Sequence, residues 1–117
     1  MVNNIQYASY NMNYALINNN KVTLPSKIQK MILYRDIIIL MLDIEKEVRD
    51  LDINRSIFAI DKDGNILWQI EPSMIKDTCY ANVYITENVQ LKCNDFSGHT
   101  FDLDHETGKI SNPVFTK

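Results

Sequence analysis

The amino-acid sequence predicts an all-β protein, an antiparallel meander or sandwich of about eight to ten short strands in a single domain, residues 1–117. Apolar residues recur mostly at every second position, which is the period of a half-buried strand. Clusters of Asn, Asp and Gly interrupt these segments at short intervals, as tight turns do. One run, Ile37–Leu42, is apolar throughout, which predicts a central strand covered on both faces.

The candidate strand segments follow one another closely along the chain. Asn residues at positions 18–20 form the first turn cluster, and later turns contain Gly64, residues 87–88 and Gly108. Pro113 is expected to end the ordered strand structure, because proline cannot donate to a strand ladder. The candidate segments are residues 5–10, 14–17, 21–24, 28–34, 37–42, 56–60, 65–70, 82–86, 89–93, 99–103 and 109–111.

Two segments are expected to depart from strand structure. Residues 43–54 are densely charged, and their apolar residues stand four and three apart, which is compatible with one or two short helical turns or with a solvated loop. Ser73 is a suitable cap for a single helical turn over residues 74–77.

Two segments of the second half are similar to each other. Residues 58–67 (FAIDKDGNIL) and 101–110 (FDLDHETGKI) share an aromatic residue, an aliphatic residue, Asp, a turn Gly and Ile in the same order. Each resembles the inner hairpin of quinoprotein-type β-propeller repeats. A closed propeller needs at least about four blades, so the resemblance implies an open sheet or sandwich with two propeller-blade-like hairpin units and no propeller cofactor site. Turn chemistry alone also produces such hairpins in other β folds.

The charge of the chain limits its partners. The formal net charge is −3 and no cluster of basic residues occurs, which disfavours direct binding to nucleic acid or to an anionic membrane and favours a basic protein partner. The first residues lack the pattern of a signal peptide, so we expect a cytoplasmic protein. Cys79 and Cys93 agree with a reducing compartment, although they could face each other across a hairpin.

Metal and cofactor motifs are weak. Residues 61–65 (DKDGN) lack the Gly and Glu that an EF-hand requires at its sixth and twelfth positions. His99 and His105, with Cys93 and Asp95, lack the spacing of a zinc site. The three glycines stand singly at turns rather than in a phosphate-binding loop. We therefore expect no metal and no cofactor.

Nucleophilic catalysis is also disfavoured. Ser97, His99 and Asp102 are close in sequence, but strand alternation places His99 and Asp102 on opposite faces of a sheet. We expect a protein that is not an enzyme, although a minor hydrolase using paired carboxylates stays open.

Size, acidity and the two hairpins also resemble immunity proteins of bacterial contact-dependent growth-inhibition and related polymorphic-toxin systems. The likeness lies in residues 54–71, 82–93 and 95–110. It implies a protein that binds and neutralises a cognate toxin domain, often a basic nuclease, and no motif of that family fixes a contact residue.

The acidic stretch after the apolar strand is the candidate contact surface. Its carboxylates would stand in for phosphates in a basic cleft and would steer association. The alternative function is a small ligand-binding or scaffold β module of unknown partner. The expected partner-binding residues are Asp43, Glu45, Glu47, Asp50 and Asp52.

Overall fold

The protein folds into three antiparallel sheets, as seen in a computed structural model that describes residues 5–43, 55–73 and 78–115. The first sheet contains β1 (Ala8–Asn11), β2 (Tyr14–Ile17) and β3 (Asn20–Thr23). The second contains β4 (Ile28–Tyr34), β5 (Ile37–Leu42), β6 (Ile57–Ile60) and β7 (Ile66–Gln69). The third contains β8 (Tyr80–Ile85), β9 (Leu91–Asp95), β10 (His99–Leu103) and β11 (Ile110–Phe115). Each sheet is a meander, because consecutive strands are neighbours in it.

The all-β, antiparallel prediction is confirmed, with eleven strands among the described residues rather than about eight to ten. The same residues contain no helix. The predicted helical turns fall on residues 44–54 and 74–77, which lie outside the described residues.

The second sheet lies between the other two and is covered on both faces. In β5, Ile37, Ile39 and Met41 belong to the apolar core shared with the third sheet. The alternate residues Ile38, Leu40 and Leu42 belong to the core shared with the first sheet. A strand buried on both faces has no polar side to alternate with, which explains the unbroken apolar run and confirms the prediction of a central strand.

The two similar hairpins occupy equivalent places in two sheets. Residues 58–67 lie in the hairpin of β6 and β7, and residues 101–110 lie in the hairpin of β10 and β11. Each hairpin supplies the third and fourth strands of a four-stranded meander. The sequence similarity therefore coincides with a similarity of position.

All the tight hairpin turns that follow β2, β4, β6, β8 and β10 lie at one end of the stack, which we call the hairpin end. Alternate turns of a meander lie at the same end of its sheet. The side-chain amides of Asn18 and Asn20 both donate to the Lys62 carbonyl oxygen at 3.3 Å, which joins the first sheet to the second there. The Tyr34 hydroxyl donates to the Val89 carbonyl oxygen at 3.0 Å, which joins the second sheet to the third. We call the opposite end the connection end.

The expectation that Pro113 ends the ordered strand structure is wrong. β11 continues to Phe115, and its pairing with β10 shifts register between Thr100 and Asp102. Asn112 adopts a positive φ of 52° beside the shift, so Pro113 lies in an irregular edge strand, where a missing N–H is tolerated.

The two cysteines do not face each other. Cys93 lies opposite Val83 in the ladder of β8 and β9, whereas the Cys79 carbonyl oxygen accepts the Phe96 N–H at 3.0 Å. Neither cysteine forms a disulfide. Burial raises the pKa of Cys93 to about 12 and also raises the pKa of Cys79, so both are poor thiolates.

Candidate functional site

The predicted acidic stretch begins at the connection end. Asp43 follows β5 directly and is exposed. Its backbone N–H donates to the Lys27 carbonyl oxygen at 2.7 Å, and its own carbonyl oxygen accepts the Ser26 hydroxyl at 2.9 Å. The other four predicted partner-binding residues, Glu45, Glu47, Asp50 and Asp52, lie outside the described residues.

A second acidic surface lies at the hairpin end, where several turns bring carboxylates together. Six carboxylates and three cations occupy these turns, an excess of three negative charges in the described residues. The carboxylates are Asp36, Asp61, Asp63, Glu87, Asp104 and Glu106, and the cations are Arg35, Lys62 and Lys109. All of these carboxylates except Asp61 are exposed.

Two of these carboxylates, Asp61 and Asp104, stabilise the turns in which they lie by accepting backbone hydrogen bonds. Asp61 Oδ1 accepts the backbone N–H groups of Asp63 and Asn65, both at 2.9 Å. Burial raises the pKa of Asp61, but these hydrogen bonds, with that from the Asn65 side chain, outweigh it and hold the pKa below its ordinary value. Asp104 accepts the Glu106 N–H at 2.8 Å in the turn of the other similar hairpin. The conformation of both turns is thus fixed by a charged side chain.

An apolar residue projects among these turns. Val89 is 62% exposed in the turn between β8 and β9. Its φ of 59° is strained for a β-branched residue, and the Tyr34 hydroxyl holds its carbonyl oxygen. The hairpin end therefore presents an exposed apolar side chain in the same turn as the Glu87 carboxylate.

Ser97 and His99 lie close to Asp95, but these side chains do not form an activated nucleophile. Asp95 is buried in β9, and its Oδ1 accepts the Ser97 hydroxyl at 2.7 Å and the backbone N–H groups of Ser97 and His99, both at 3.0 Å. His99 Nδ1 lies 2.9 Å from Ser97 Oγ. Because the hydroxyl proton points to Asp95, the imidazole faces the oxygen as a donor and is not placed to remove that proton.

His99 and Asp102 lie apart, as strand alternation predicts. The His99 ring contacts the rings of Phe101 and Phe115. Asp102 instead pairs with Lys92 and accepts the Asn112 side-chain amide at 2.7 Å on the outer face of the third sheet. These two hydrogen bonds hold the pKa of Asp102 below its ordinary value.

Of the candidate metal ligands, Asp95 and His99 lie close together, but the two histidines are separated. In residues 5–43, 55–73 and 78–115, no three His, Cys, Asp or Glu side chains are grouped closely enough to hold a metal ion. His99 begins β10 at the connection end, whereas His105 lies in the turn after β10 at the hairpin end.

A shallow surface cavity of about 610 Å³ is lined by Gln6, Tyr7, Asn18 and Asn19. Asn18 Oδ1 already accepts the backbone N–H groups of Gln6 and Tyr7, at 2.9 and 3.2 Å. The amide that would best recognise a polar ligand is therefore engaged in holding the chain before β1.

The sequence patterns do not predict the acidic surface of the hairpin end, because each turn there carries only the signal of a local turn. Asp61 and Asp104 have the spacing of turn-holding residues, and nothing local indicates that they share a surface. The order of the turns along the chain could have predicted this shared surface, since every second turn of a meander lies at the same end of its sheet.

No helix in the part of the chain that the structure describes is long and apolar enough to cross a membrane. No curated protein matches the chain. The model of the family described as "Domain of unknown function (DUF7957)" matches residues 5–115, which is nearly the whole sequence. The chain therefore belongs to the DUF7957 family.

Proposed function

We propose that this protein is a cytoplasmic inhibitor of the immunity-protein type, which binds and neutralises a basic protein partner such as a toxin nuclease domain. It performs no chemistry of its own in this proposal. The observation that carries the proposal is the hairpin end, where six carboxylates outnumber three cations across the turns of neighbouring sheets.

The hairpin end is suited to a basic cleft because its carboxylates stand on tight turns. Asp61 and Asp104 accept backbone hydrogen bonds within their turns, so little conformational entropy is lost when a partner binds. Carboxylates in such an array stand in for the phosphates of a nucleic acid and attract a basic surface over a distance of about 10 Å. Val89 supplies an apolar contact that a partner can desolvate.

The acidic stretch that begins with Asp43 is a second proposed contact. Asp43 is exposed there, and Glu45, Glu47, Asp50 and Asp52 follow it in sequence. Asp43 and the hairpin end lie at opposite ends of the stack, so the acidic stretch and the hairpin end represent separate hypotheses about where a basic partner docks.

We also propose that the second and third sheets are blade-like repeats of an open stack. The equivalent positions of the two similar hairpins support this relationship. The outer face of the third sheet carries the ion pair of Lys92 with Asp102 and the Asn112 side chain that donates to Asp102, which suits contact with solvent better than contact with a further blade.

The test is affinity capture from the source organism with three baits. The first is the wild-type chain, and the second carries D36N, D63N, E87Q and E106Q at the hairpin end, none of which removes a turn-holding carboxylate. The third carries D43N, E45Q, E47Q, D50N and D52N as a matched neutralisation of the acidic stretch.

We expect the wild-type bait to capture a basic protein whose association slows at least tenfold at low salt when the contacting surface is neutralised. The other neutralised bait should bind as the wild type does. If the captured protein is not basic, or if both neutralised baits bind it as tightly as the wild type, the proposed inhibitor function is wrong.

A further inference from the structure

The first sheet is one strand narrower than its neighbours. In the described residues it has three strands, whereas the second and third sheets have four. The turn after β1 is fixed to the start of β4, because the Ile28 N–H donates to the Met12 carbonyl oxygen at 2.7 Å. The Tyr10 hydroxyl also lies 3.4 Å from the Gln29 carbonyl oxygen. β1 thus lies beside β4, and among the described residues no strand pairs with its other edge, which we call the open edge of β1.

This narrower sheet leaves part of β4 uncovered. Met31 packs against the core shared with the first sheet, and strand alternation places Leu33 on the same face. Leu33 is 48% exposed, and Tyr10 on β1 is 42% exposed. On the other face of β4, Ile32 and Tyr34 pack against the four-stranded third sheet. An exposed apolar strip therefore runs along the open edge of β1.

Within residues 5–43, 55–73 and 78–115, the β1 backbone groups at that edge have no partner strand. β1 pairs with β2 without a register shift, and Asn11 lies opposite Tyr14 across a two-residue turn. In this register Ser9 and Asn11 direct their backbone groups to β2, whereas Ala8 and Tyr10 direct theirs outward. β1 contains no charged residue and no proline.

The other edge strands carry features that hinder pairing. β3 carries the charged Lys21, and the Lys30 ammonium group of β4 donates to the Val83 carbonyl oxygen of β8 at 2.7 Å. The ladders of β4, β7, β8 and β11 each contain a register shift, and β11 also contains Pro113. Charges, prolines and bulges are the usual protection of a sheet edge, and in the described structure β1 lacks all three.

We propose that β1 pairs antiparallel with β1 of a second copy of this chain, which gives a symmetric dimer with a continuous six-stranded sheet. The two-fold axis passes beside Ser9. Ala8 of one protomer then lies opposite Tyr10 of its partner on each side of the axis, and each of these pairs exchanges two backbone hydrogen bonds. The Leu33 side chains of both protomers come under the added strands.

A second copy fits this edge because the surface is complementary to itself. The alternation of β1 places small Ala8 beside large Tyr10 on the face toward Leu33, and the absence of charge on β1 avoids repulsion between the copies. One short strand gives an interface smaller than the roughly 800 Å² per partner of standard complexes, so we expect association in the micromolar range.

The first test compares sedimentation of the wild-type chain with A8P and with the matched edge variant K21P. Each variant removes one outward backbone N–H, on β1 or on β3, from a position where the ladder within the sheet is unaffected. A8P should weaken the dimer about 30-fold, because two backbone hydrogen bonds are lost per dimer. K21P should dimerise as the wild type does.

The second test uses oxidation of S9C, with T23C on the outer face of β3 as the matched control. Across the proposed axis the two Ser9 Cβ atoms lie about 4.5–5.5 Å apart, which is near the spacing of a disulfide. S9C should form a covalent dimer and T23C should not. A chain that sediments as a monomer at every concentration, a dimer that A8P leaves intact, or cross-linking of S9C no faster than T23C overturns the proposal.

Discussion

Replacing Gly108 by Ala tests the packing between the second and third sheets. Gly108 adopts a φ of 77°, and a Cβ atom added there would lie 2.6 Å from Trp68 Cε3 and 2.7 Å from Cδ2. The positive φ costs about 1–2 kcal/mol for a residue with a Cβ. Displacing a buried ring costs about 1–3 kcal/mol more, because Trp68 is held by a 2.8 Å hydrogen bond from its indole N–H to the His105 carbonyl oxygen.

We therefore expect G108A to lower the free energy of unfolding by about 3 kcal/mol, and the melting temperature by on the order of 10–20 °C. The assay is urea unfolding followed by far-UV circular dichroism, which does not depend on the single tryptophan. A double-mutant cycle separates the two causes: in a W68L background, where the ring is absent, G108A should cost only the backbone share of about 1–2 kcal/mol. An equal cost of G108A in both backgrounds would falsify the contact between Gly108 and Trp68.

Three other substitutions follow from individual contacts. V89N should raise the unfolding free energy by about 0.5–1 kcal/mol in a urea titration, because Asn tolerates the positive φ that strains Val89; unchanged stability would contradict that strain. K30M should lower it by about 1–2 kcal/mol, because the ammonium group donates to Asn82 Oδ1 at 3.0 Å and to the Val83 carbonyl oxygen; a neutral result would mean that water replaces both bonds. D102N should destabilise at neutral pH and lose its effect in acid. The folded-state pKa of Asp102 is lowered, so its contribution is present above the unfolded pKa and is lost as the pH falls through the folded pKa. A cost of D102N that persists at pH 2 would exclude this carboxylate as the cause.

The sequence predicts those parts of the fold that depend on local patterns. The apolar run of β5 indicates a strand buried on both faces, and the Asp and Gly residues of the two similar hairpins indicate their turns. Such features depend on residues within a few positions of each other. The position of Pro113 within β11 depends on more distant contacts. The positive φ of Asn112 and the register shift against β10 together allow a proline in this strand, whereas the sequence pattern alone would place it after the last strand.

The hairpin end was beyond prediction from local patterns because it depends on how three sheets are aligned. Asn18 and Asn20 reach Lys62, and Tyr34 reaches Val89, across more than 40 residues of sequence. The periodicity of apolar residues does not predict these contacts. The acidic stretch after β5 was easier to find because its charges are contiguous in sequence.

The proposed dimer links the two acidic surfaces. Antiparallel pairing of β1 with its symmetry copy reverses the direction of the stack, so the hairpin end of one protomer lies on the same side as the connection end of its partner. Each side of the dimer would then combine the turn carboxylates of one chain with Asp43 of the other, the residue at which the acidic stretch begins. A basic partner that spans both surfaces would depend on dimerisation, whereas one that contacts a single surface would bind the A8P monomer equally well. Comparing the capture of the same basic partner by wild-type and A8P baits thus distinguishes a composite acidic face from two independent ones.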